Sequence, residues 1–196
     1  MLPPDKSAAA GAFAAEYRER RENQAWRALS ADEITALPEK IPSNWDRRYW
    51  QVRRQSYRKM VDLIGNDRQL KKPYRVVDMG AGFGWLAARL ATGGHEVVAL
   101  DLNLDDAFGL GAAQRLRQSA GLDLTLVQGA IEDPPFQQQQ VDLLIYNASL
   151  HYASDIECCL SSGAVLLRQG GALIVMDSPV VDKATAPEWE GGRKLE

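Results

Sequence analysis

An alternation of short apolar runs with segments of helical composition begins at residue 73 and limits the fold more than any other feature of this chain. The apolar runs predict five strands, at Tyr74–Met79, His95–Leu102, Leu122–Gln128, Val141–Tyr146 and Ala172–Asp177. Each run is apolar almost throughout, which is typical of strands buried on both faces of a parallel sheet. The intervening segments predict helices that cover those faces. The sequence therefore predicts a Rossmann-like, doubly wound α/β fold with a mainly parallel sheet.

The first 72 residues differ from the rest of the chain in charge. Residues 1–72 hold 15 lysine and arginine residues against 10 acidic residues, a net charge of +5, whereas residues 73–196 hold 8 against 16, a net charge of −8. The two values agree with the overall charge of −3. This division predicts an N-terminal helical extension over residues 1–72, which we expect to act as a lid, and an α/β domain over residues 73–196.

The extension has the composition and the capping residues of three helices. We predict these helices at Ala8–Leu29, Ala31–Ala36 and Asn44–Ile64. Ser30 and Glu33 form the pattern of a capping box at the second helix, and Ser43 can cap the third. Aromatic side chains in and near the third helix could present flat surfaces to a ligand: Trp45, Tyr49, Trp50 and Tyr57. Aromatic residues at helical spacing more commonly belong to a core, and we favour that interpretation.

A glycine-rich turn follows the first predicted strand, at the position of the ligand crevice in an open α/β sheet. A nicotinamide fingerprint requires a third glycine where this chain has Trp85, whose indole we expect to obstruct a pyrophosphate. A Walker loop requires a lysine followed by serine or threonine, which is absent here. The turn therefore favours a ligand with an ammonium group and no phosphate, and it argues against a nicotinamide oxidoreductase.

The sequence Asp78-Met79-Gly80-Ala81-Gly82-Phe83-Gly84 resembles the first motif of class I S-adenosylmethionine-dependent methyltransferases, and the resemblance extends over most of residues 73–182. It implies that a strand-end acid and its glycine loop receive the amino-acid part of S-adenosylmethionine: Asp78, Gly80, Ala81 and Gly82. It also implies that Asp101 holds the ribose hydroxyls, for which a carboxylate is a suitable bidentate acceptor, and that Leu102 lies at the adenine.

Two later segments are also similar to this family. The run G-A-I-E-D-P-P-F after the third strand resembles the family's adenine clamp and places Ala130 and Ile131 there. Because Ala130 stands where the family commonly has an acid, adenine recognition would depend more on the backbone N–H of Ile131. Asn147 begins a segment that in the family borders both the cofactor and the acceptor. In that segment His151 is the candidate base, since its ordinary pKa suits proton removal at neutral pH, and a structural histidine is the alternative.

The end of the chain departs from the family pattern. Only 19 residues follow Asp177, too few for the helix and two strands that complete the family's sheet. We therefore expect incomplete C-terminal strands after strand five, with the exposed side covered by a homo-oligomer partner or by the N-terminal helices. The resemblance implies an enzyme that transfers a methyl group to an unidentified acceptor, which we expect to be a small molecule. The alternative is a non-catalytic S-adenosylmethionine-binding subunit or fragment.

Other classes of partner are not expected. No apolar run reaches the roughly 18 residues that span a bilayer, so we expect no membrane association and a cytoplasmic location. Acidic residues are interleaved with the basic ones of the extension, which disfavours a nucleic-acid partner. The two cysteines, Cys158 and Cys159, are neighbours, and the histidines His95 and His151 are far apart, so we predict no metal site and no disulfide framework.

Overall fold

The computed structural model describes residues 4–43, 45–67 and 72–179. Its helices are α1 (Pro4–Asn23), α2 (Ala31–Ala36), α3 (Arg47–Asn66), α4 (Trp85–Thr92), α5 (Leu110–Ala120) and α6 (Ile156–Ala164), with a 3-10 turn at Leu150–Tyr152. Its strands are β1 (Arg75–Met79), β2 (Glu96–Asp101), β3 (Leu124–Gln128), β4 (Val141–Asn147) and β5 (Leu167–Met176).

The five strands form one sheet in the order β3-β2-β1-β4-β5, and every neighbouring pair is parallel. Strand β4 is buried along its whole length and β1 along all but its first residue, as expected for strands covered on both faces. The predicted Rossmann-like α/β fold is therefore confirmed. The chain leaves β1 toward β2 on one side and returns to β4 on the other, so the carboxyl end of β1 is a topological switch point, where such sheets bind ligands.

The helix caps agree with the sequence at α2 and differ at α3. Ser30 Oγ accepts a hydrogen bond from the Glu33 N–H at 3.2 Å, and the Glu33 carboxylate accepts one from the Ser30 N–H at 2.9 Å, which is the predicted capping box. The predicted cap of α3 by Ser43 is wrong. Asp46 Oδ1 caps this helix, accepting from the N–H groups of Arg48 at 2.9 Å and Tyr49 at 3.3 Å. The Asp46 carboxylate satisfies these amides, and its negative charge interacts favourably with the positive end of the helix dipole.

Three predicted boundaries also differ from the structure. Helix α1 ends at Asn23 instead of Leu29, and the turn after it directs the Trp26 side chain into the core. Helix α5 begins at Leu110, whereas its composition predicts a start at about Asp105, because Asp105 Oδ1 accepts from two backbone amides and holds a turn ahead of the helix. Strand β5 begins at Leu167 instead of Ala172, because pairing with β4 continues on both sides of the Gly170–Gly171 step, which becomes an irregularity in register.

The N-terminal helices share one hydrophobic core with the sheet. Trp26 stacks on Trp45 with ring centroids 4.3 Å apart, and Trp50 lies 5.6 Å from Trp85 in an edge-on arrangement. Trp45 and Trp50 are 4% and 0% exposed, so they are core residues, as the helical spacing favoured. Helix α2 is joined to α4 by the Arg89 side chain, whose Nε donates to the Leu37 carbonyl at 2.6 Å.

Beyond strand five, the expectation of an incomplete sheet concerns residues 180–196, which lie outside the described part of the chain. Within that part, β5 is an edge strand of the sheet. Helix α3 lies beside it, since Ser56 Oγ donates to Asp177 Oδ1 at 2.6 Å just after the strand ends. A second copy of the chain as the cover of this edge stays a prediction.

The packing of α4 against α5 depends on a glycine at the start of α4, and this gives a stability prediction. Gly84 has φ +80°, and a Cβ added there would lie 2.8 Å from the Ala113 Cβ. Gly94 has φ +82°, and an added Cβ would meet nothing within 4 Å. Gly94→Ala should therefore cost only the left-handed strain, roughly 1–2 kcal/mol. Gly84→Ala should cost roughly 1–3 kcal/mol more, because it also overpacks the helix contact. Urea unfolding of both variants measures the difference, and equal losses would contradict the close approach.

Candidate functional site

A cavity of about 160 Å³ opens at the carboxyl ends of the central strands. Its floor and sides are lined by residues after β1, β2, β3 and β4: Gly80, Gly82, Asp101, Leu102, Asn103, Phe108, Gly129, Ala130, Ile131, Glu132, Ala148, Ser149 and Tyr152. Phe13 and Tyr17 of α1 complete the lining from above. The cavity therefore lies at the switch point of the sheet, with the first helix of the chain over it.

The glycine loop forms one wall of this cavity and is held by its neighbouring strand. The N–H groups of Gly80 and Ala81 both donate to the Leu100 carbonyl, at 2.8 and 3.0 Å. Gly80 has φ +74°, and a Cβ added there would lie 2.5 Å from the Ser149 Cβ. A side chain at position 80 would therefore be strained and would separate the loop from the segment after β4.

Asp101 lies at the end of β2 with its carboxylate toward the glycine loop. Its Oδ2 accepts from the Gly82 N–H at 2.6 Å, and its Oδ1 accepts from the Asn103 N–H at 2.7 Å. Burial raises the pKa of Asp101 to about 6, although these backbone hydrogen bonds favour the ionised form. Each carboxylate oxygen has a second lone pair, so Asp101 can still accept from a vicinal diol in the cavity.

Asp78 is buried beneath the loop and does not line the cavity. It is 1% exposed, and neither of its carboxylate oxygens makes a hydrogen bond of normal geometry with the described residues. Burial, together with the nearby Asp101 carboxylate, raises the pKa of Asp78 to about 7, although an interaction with the backbone of Ala87 lowers it. Two acidic groups so close to the cavity floor favour a ligand that carries positive charge. S-Adenosylmethionine, with its sulfonium and ammonium groups, fits this requirement.

The structure brings together six of the predicted cofactor-binding residues and separates the others. Those that line the cavity are Gly80, Gly82, Asp101, Leu102, Ala130 and Ile131. Asp78, Ala81 and Asn147 lie behind that lining, each no more than 8% exposed. Asn147 ends strand β4, and its side-chain Oδ1 is buried without a partner among the described residues.

Several lining residues were not identified from the sequence. Phe13 and Tyr17 are four residues apart on α1, and this aromatic pair on one helix face was the available signal. Tyr152 contacts both, with ring centroids 5.9 Å from each. The sequence predicted a lid somewhere in residues 1–72 but did not indicate that α1 is the helix over the cavity, because that placement depends on contacts between distant segments.

His151 lies in the 3-10 turn after β4, next to the cavity and outside its lining. Its ring centroid is 4.2 Å from that of Tyr152, and its Nδ1 is buried without a partner among the described residues. Burial and the positive charges of Arg21, Arg53 and Arg20 lower the pKa of His151 to about 4. The imidazole is therefore neutral at pH 7.

Trp85 does not obstruct the crevice as its place in the glycine pattern suggested. The residue begins α4, and its indole is buried against Trp50 and Tyr57, with ring centroids 5.6 and 5.9 Å away. It does not line the cavity. Because the first turn of α4 directs this side chain into the core, the steric argument against a pyrophosphate is not supported.

Comparisons with known proteins agree with this architecture. A family model described as a methyltransferase domain matches residues 77–175. A ubiquinone/menaquinone biosynthesis C-methyltransferase from Rhizobium leguminosarum bv. trifolii is 29% identical over 115 residues, covering 57% of this chain and 45% of that protein. A fatty-acid O-methyltransferase from Mycolicibacterium smegmatis is 34% identical over 119 residues, covering 59% of this chain and 40% of that protein.

A solved geranyl diphosphate methyltransferase, in complex with GPP and sinefungin, superposes with a TM-score of 0.55 at 20% identity. The match covers 64% of this chain and 45% of that one, and it shows a shared fold. The chain spans less than half the length of each of the sequence relatives above. Within the described residues, no helix combines the length and the apolarity that crossing a membrane requires.

The unpartnered carboxyl group of Asp78 gives a pH-dependent stability prediction. Its pKa is about 7 in the folded chain and near 3.8 when unfolded, so its ionisation removes stability as pH rises from about 4 through 7. Asp78→Asn abolishes this loss, so between pH 4 and pH 8 the free energy of unfolding of the variant should gain roughly 4 kcal/mol relative to that of the wild type, since each pKa unit corresponds to about 1.4 kcal/mol. Thermal unfolding across this range measures the gain. The exposed substitution Asp62→Asn is the control, and a gain that does not vary with pH would contradict the assignment.

Proposed function

Since this chain belongs to the family of methyltransferase domains, we propose that it transfers the methyl group of S-adenosylmethionine to a small-molecule acceptor. The family predicted from the glycine loop is confirmed, because the family model matches residues 77–175 of 196, half of the chain. The single observation that carries the proposed activity is Asp101, a carboxylate that ends β2, faces the cavity and holds the glycine loop.

We propose for the cofactor the position that the family resemblance implies, and the charges and backbone of the cavity support it. Asp101 would accept the ribose hydroxyls, and the loop Gly80–Gly82 would lie against the amino-acid part. Leu102, Ala130 and Ile131 would border the adenine. Asp78 would act through its charge from beneath the loop, since it does not line the cavity. A bound cation would favour the ionised form of Asp78, whose negative charge then favours the cationic cofactor over a neutral ligand of the same shape.

When bound, S-adenosylmethionine supplies an electrophilic methyl group on a sulfonium. The task of the protein is to place an acceptor atom about 3 Å from that methyl group and to exclude water. Helix α1 is suited to the exclusion, because Phe13 and Tyr17 cover the cavity. Arg18 fastens this helix to the loop after β2 through an ion pair with Asp105, at 2.6 Å. In this proposal the N-terminal extension is the lid.

The relatives support a small-molecule acceptor, since one is named for quinone biosynthesis and the other for fatty acids. The alternative proposal is a non-catalytic S-adenosylmethionine-binding subunit or fragment. A turnover assay distinguishes the methyltransferase from the non-catalytic binding subunit. The full chain, incubated with methyl-labelled S-adenosylmethionine and a metabolite extract, should transfer label to a small molecule, whereas a binding subunit transfers none.

Binding of the cofactor should depend on the Asp101 charge. Asp101→Asn should weaken the affinity for S-adenosylmethionine by about 1.5–3 kcal/mol, because it removes charged hydrogen bonds to the ribose. Calorimetry measures the affinity, and thermal unfolding verifies that the variant is folded. The exposed substitution Asp106→Asn, in the following loop, should bind like the wild type. Unchanged affinity in Asp101→Asn would remove this residue from the site.

His151 is our proposed base for a nitrogen or oxygen acceptor. It is neutral at pH 7 and can accept a proton, although its pKa of about 4 makes it a weak base until a negative charge approaches. His151→Gln should lower kcat by about 100-fold or more and leave the affinity for S-adenosylmethionine unchanged. His95→Gln is the matched control, because His95 stacks on Tyr74 at the amino end of the sheet, with centroids 4.5 Å apart. Normal turnover in His151→Gln would leave His151 with a structural role only.

A further inference from the structure

Two arginines beside the cavity are buried without a carboxylate partner among the described residues. Arg21 and Arg53 are 9% and 7% exposed. Arg21 donates to the phenol oxygens of Tyr17 at 2.9 Å and Tyr152 at 3.4 Å, and to Gln24 Oε1 at 3.0 Å. Arg53 donates to the Tyr49 hydroxyl. All these acceptors are neutral, whereas buried arginines are ordinarily paired with acids because desolvating a charge is costly.

Each of these arginines also keeps an unused donor. Arg21 Nε and Arg53 Nε are both buried without an acceptor among the described residues. An arginine cannot relieve this situation by losing its proton, since the guanidinium stays charged at every relevant pH. The pair therefore presents two positive charges and two free N–H groups, and an anion would satisfy the charges and the donors together.

The two guanidinium groups belong to one aromatic cluster between α1 and α3. The Arg21 guanidinium lies 4.4 Å over the Trp26 ring, and the Arg53 guanidinium lies 4.4 Å over the Tyr49 ring. Those two rings contact each other edge to face, with centroids 6.1 Å apart. The cluster adjoins the cavity directly, because Tyr17 and Tyr152, which accept from Arg21, line it.

We propose that Arg21 and Arg53 bind an oxyanion of the methyl acceptor, a carboxylate or a phosphate group. The inference rests on the proposed function and names the class of acceptor. A guanidinium donates through a planar fork that matches the oxygens of both anions. The aromatic rings around the pair would contact an apolar or aromatic part of the same molecule.

No acidic group of the described residues already fills this role. Asp177 Oδ1 accepts from Ser56 Oγ at 2.6 Å, one helical turn after Arg53, and Asp177 makes no ion pair with Arg53 among the described contacts. Besides Arg21 and Arg53, the charged group that lowers the pKa of His151 is Arg20, which is also positive. The cluster also contains the phenol groups of Tyr17, Tyr49 and Tyr152, and no carboxylate pairs with its two arginines among the described residues. Its net charge is therefore positive until an anion binds.

His151 provides a spectroscopic probe of that anion. Its pKa is held to about 4 by burial and by the positive charges of Arg21, Arg53 and Arg20. A bound oxyanion would offset those charges and raise the pKa of His151. The only other histidine, His95, lies on Tyr74 at the opposite end of the strands and is an internal reference.

The test is an NMR titration of both histidine rings in the full chain with S-adenosylmethionine present. Saturating benzoate should raise the pKa of His151 by about one unit or more and leave that of His95 unchanged. Benzamide, the neutral analogue, should have no effect. Inorganic phosphate is the second arm, and a shift with phosphate alone would assign the site to phosphate-bearing acceptors. No shift with either anion would overturn the proposal.

Variants test which side chains bind the anion. Arg21→Gln and Arg53→Gln should each weaken benzoate binding about tenfold or more, whereas Arg58→Gln, on the exposed side of α3, should not. If neither buried variant folds, the pKa of His151 in the wild type with benzoate, compared with that in benzamide, still tests whether an anion binds. Calorimetry with S-adenosylmethionine on the same samples separates the two proposals. Cofactor binding without an anion effect refutes the anion site alone, and an anion effect without cofactor binding refutes the proposed function.

Discussion

The hydrogen bond between the Gly82 N–H and the Asp101 carboxylate is the interaction on which the rest of the site depends. It joins the turn after β1 to the end of β2, while Leu100 accepts from Gly80 and Ala81 and fixes the same turn from the strand backbone. Because the glycines have no side chains, the loop can approach both β2 and the segment after β4. The result is a cavity with a backbone wall and a carboxylate at its edge.

Charge is distributed unevenly across this cavity. Asp101 lies at the edge of the cavity and Asp78 beneath the glycine loop. Burial raises the pKa of both carboxyl groups, and the nearby Asp101 carboxylate raises that of Asp78 further. Arg21 and Arg53 lie on the side of the N-terminal helices, where no acid of the described residues pairs with them. Each unpaired group destabilises the folded chain on its own. We propose one arrangement that would neutralise both the carboxylates and the arginines. In it a cationic methyl donor lies over the carboxylates and an anionic acceptor lies beside the arginines.

The sequence predicted local features well where short-range physics decides them. The capping box at Ser30 and Glu33 needs only neighbouring residues, and it forms as expected. Five parallel strands follow from their continuous apolar runs, because only a sheet covered on both faces buries them. Predictions failed where distant contacts intervene. Trp85 turns into the core formed with α3 and leaves the crevice clear, and pairing with β4 extends β5 through a glycine step that would otherwise end it.

The sequence by itself determined the fold class, the family, the glycine loop and the carboxylate at the end of β2, because each of these follows from residue type and spacing along a few consecutive elements. Only the tertiary structure decided that α1 lies over the cavity, that Tyr17 and Tyr152 line it, and that Arg21 and Arg53 are buried in one aromatic cluster without an acidic partner among the described residues. Those placements bring together residues more than a hundred positions apart, as in the contact of Arg21 with Tyr152. Such contacts depend on how whole helices pack on the sheet, and the local pattern of the chain does not encode that packing.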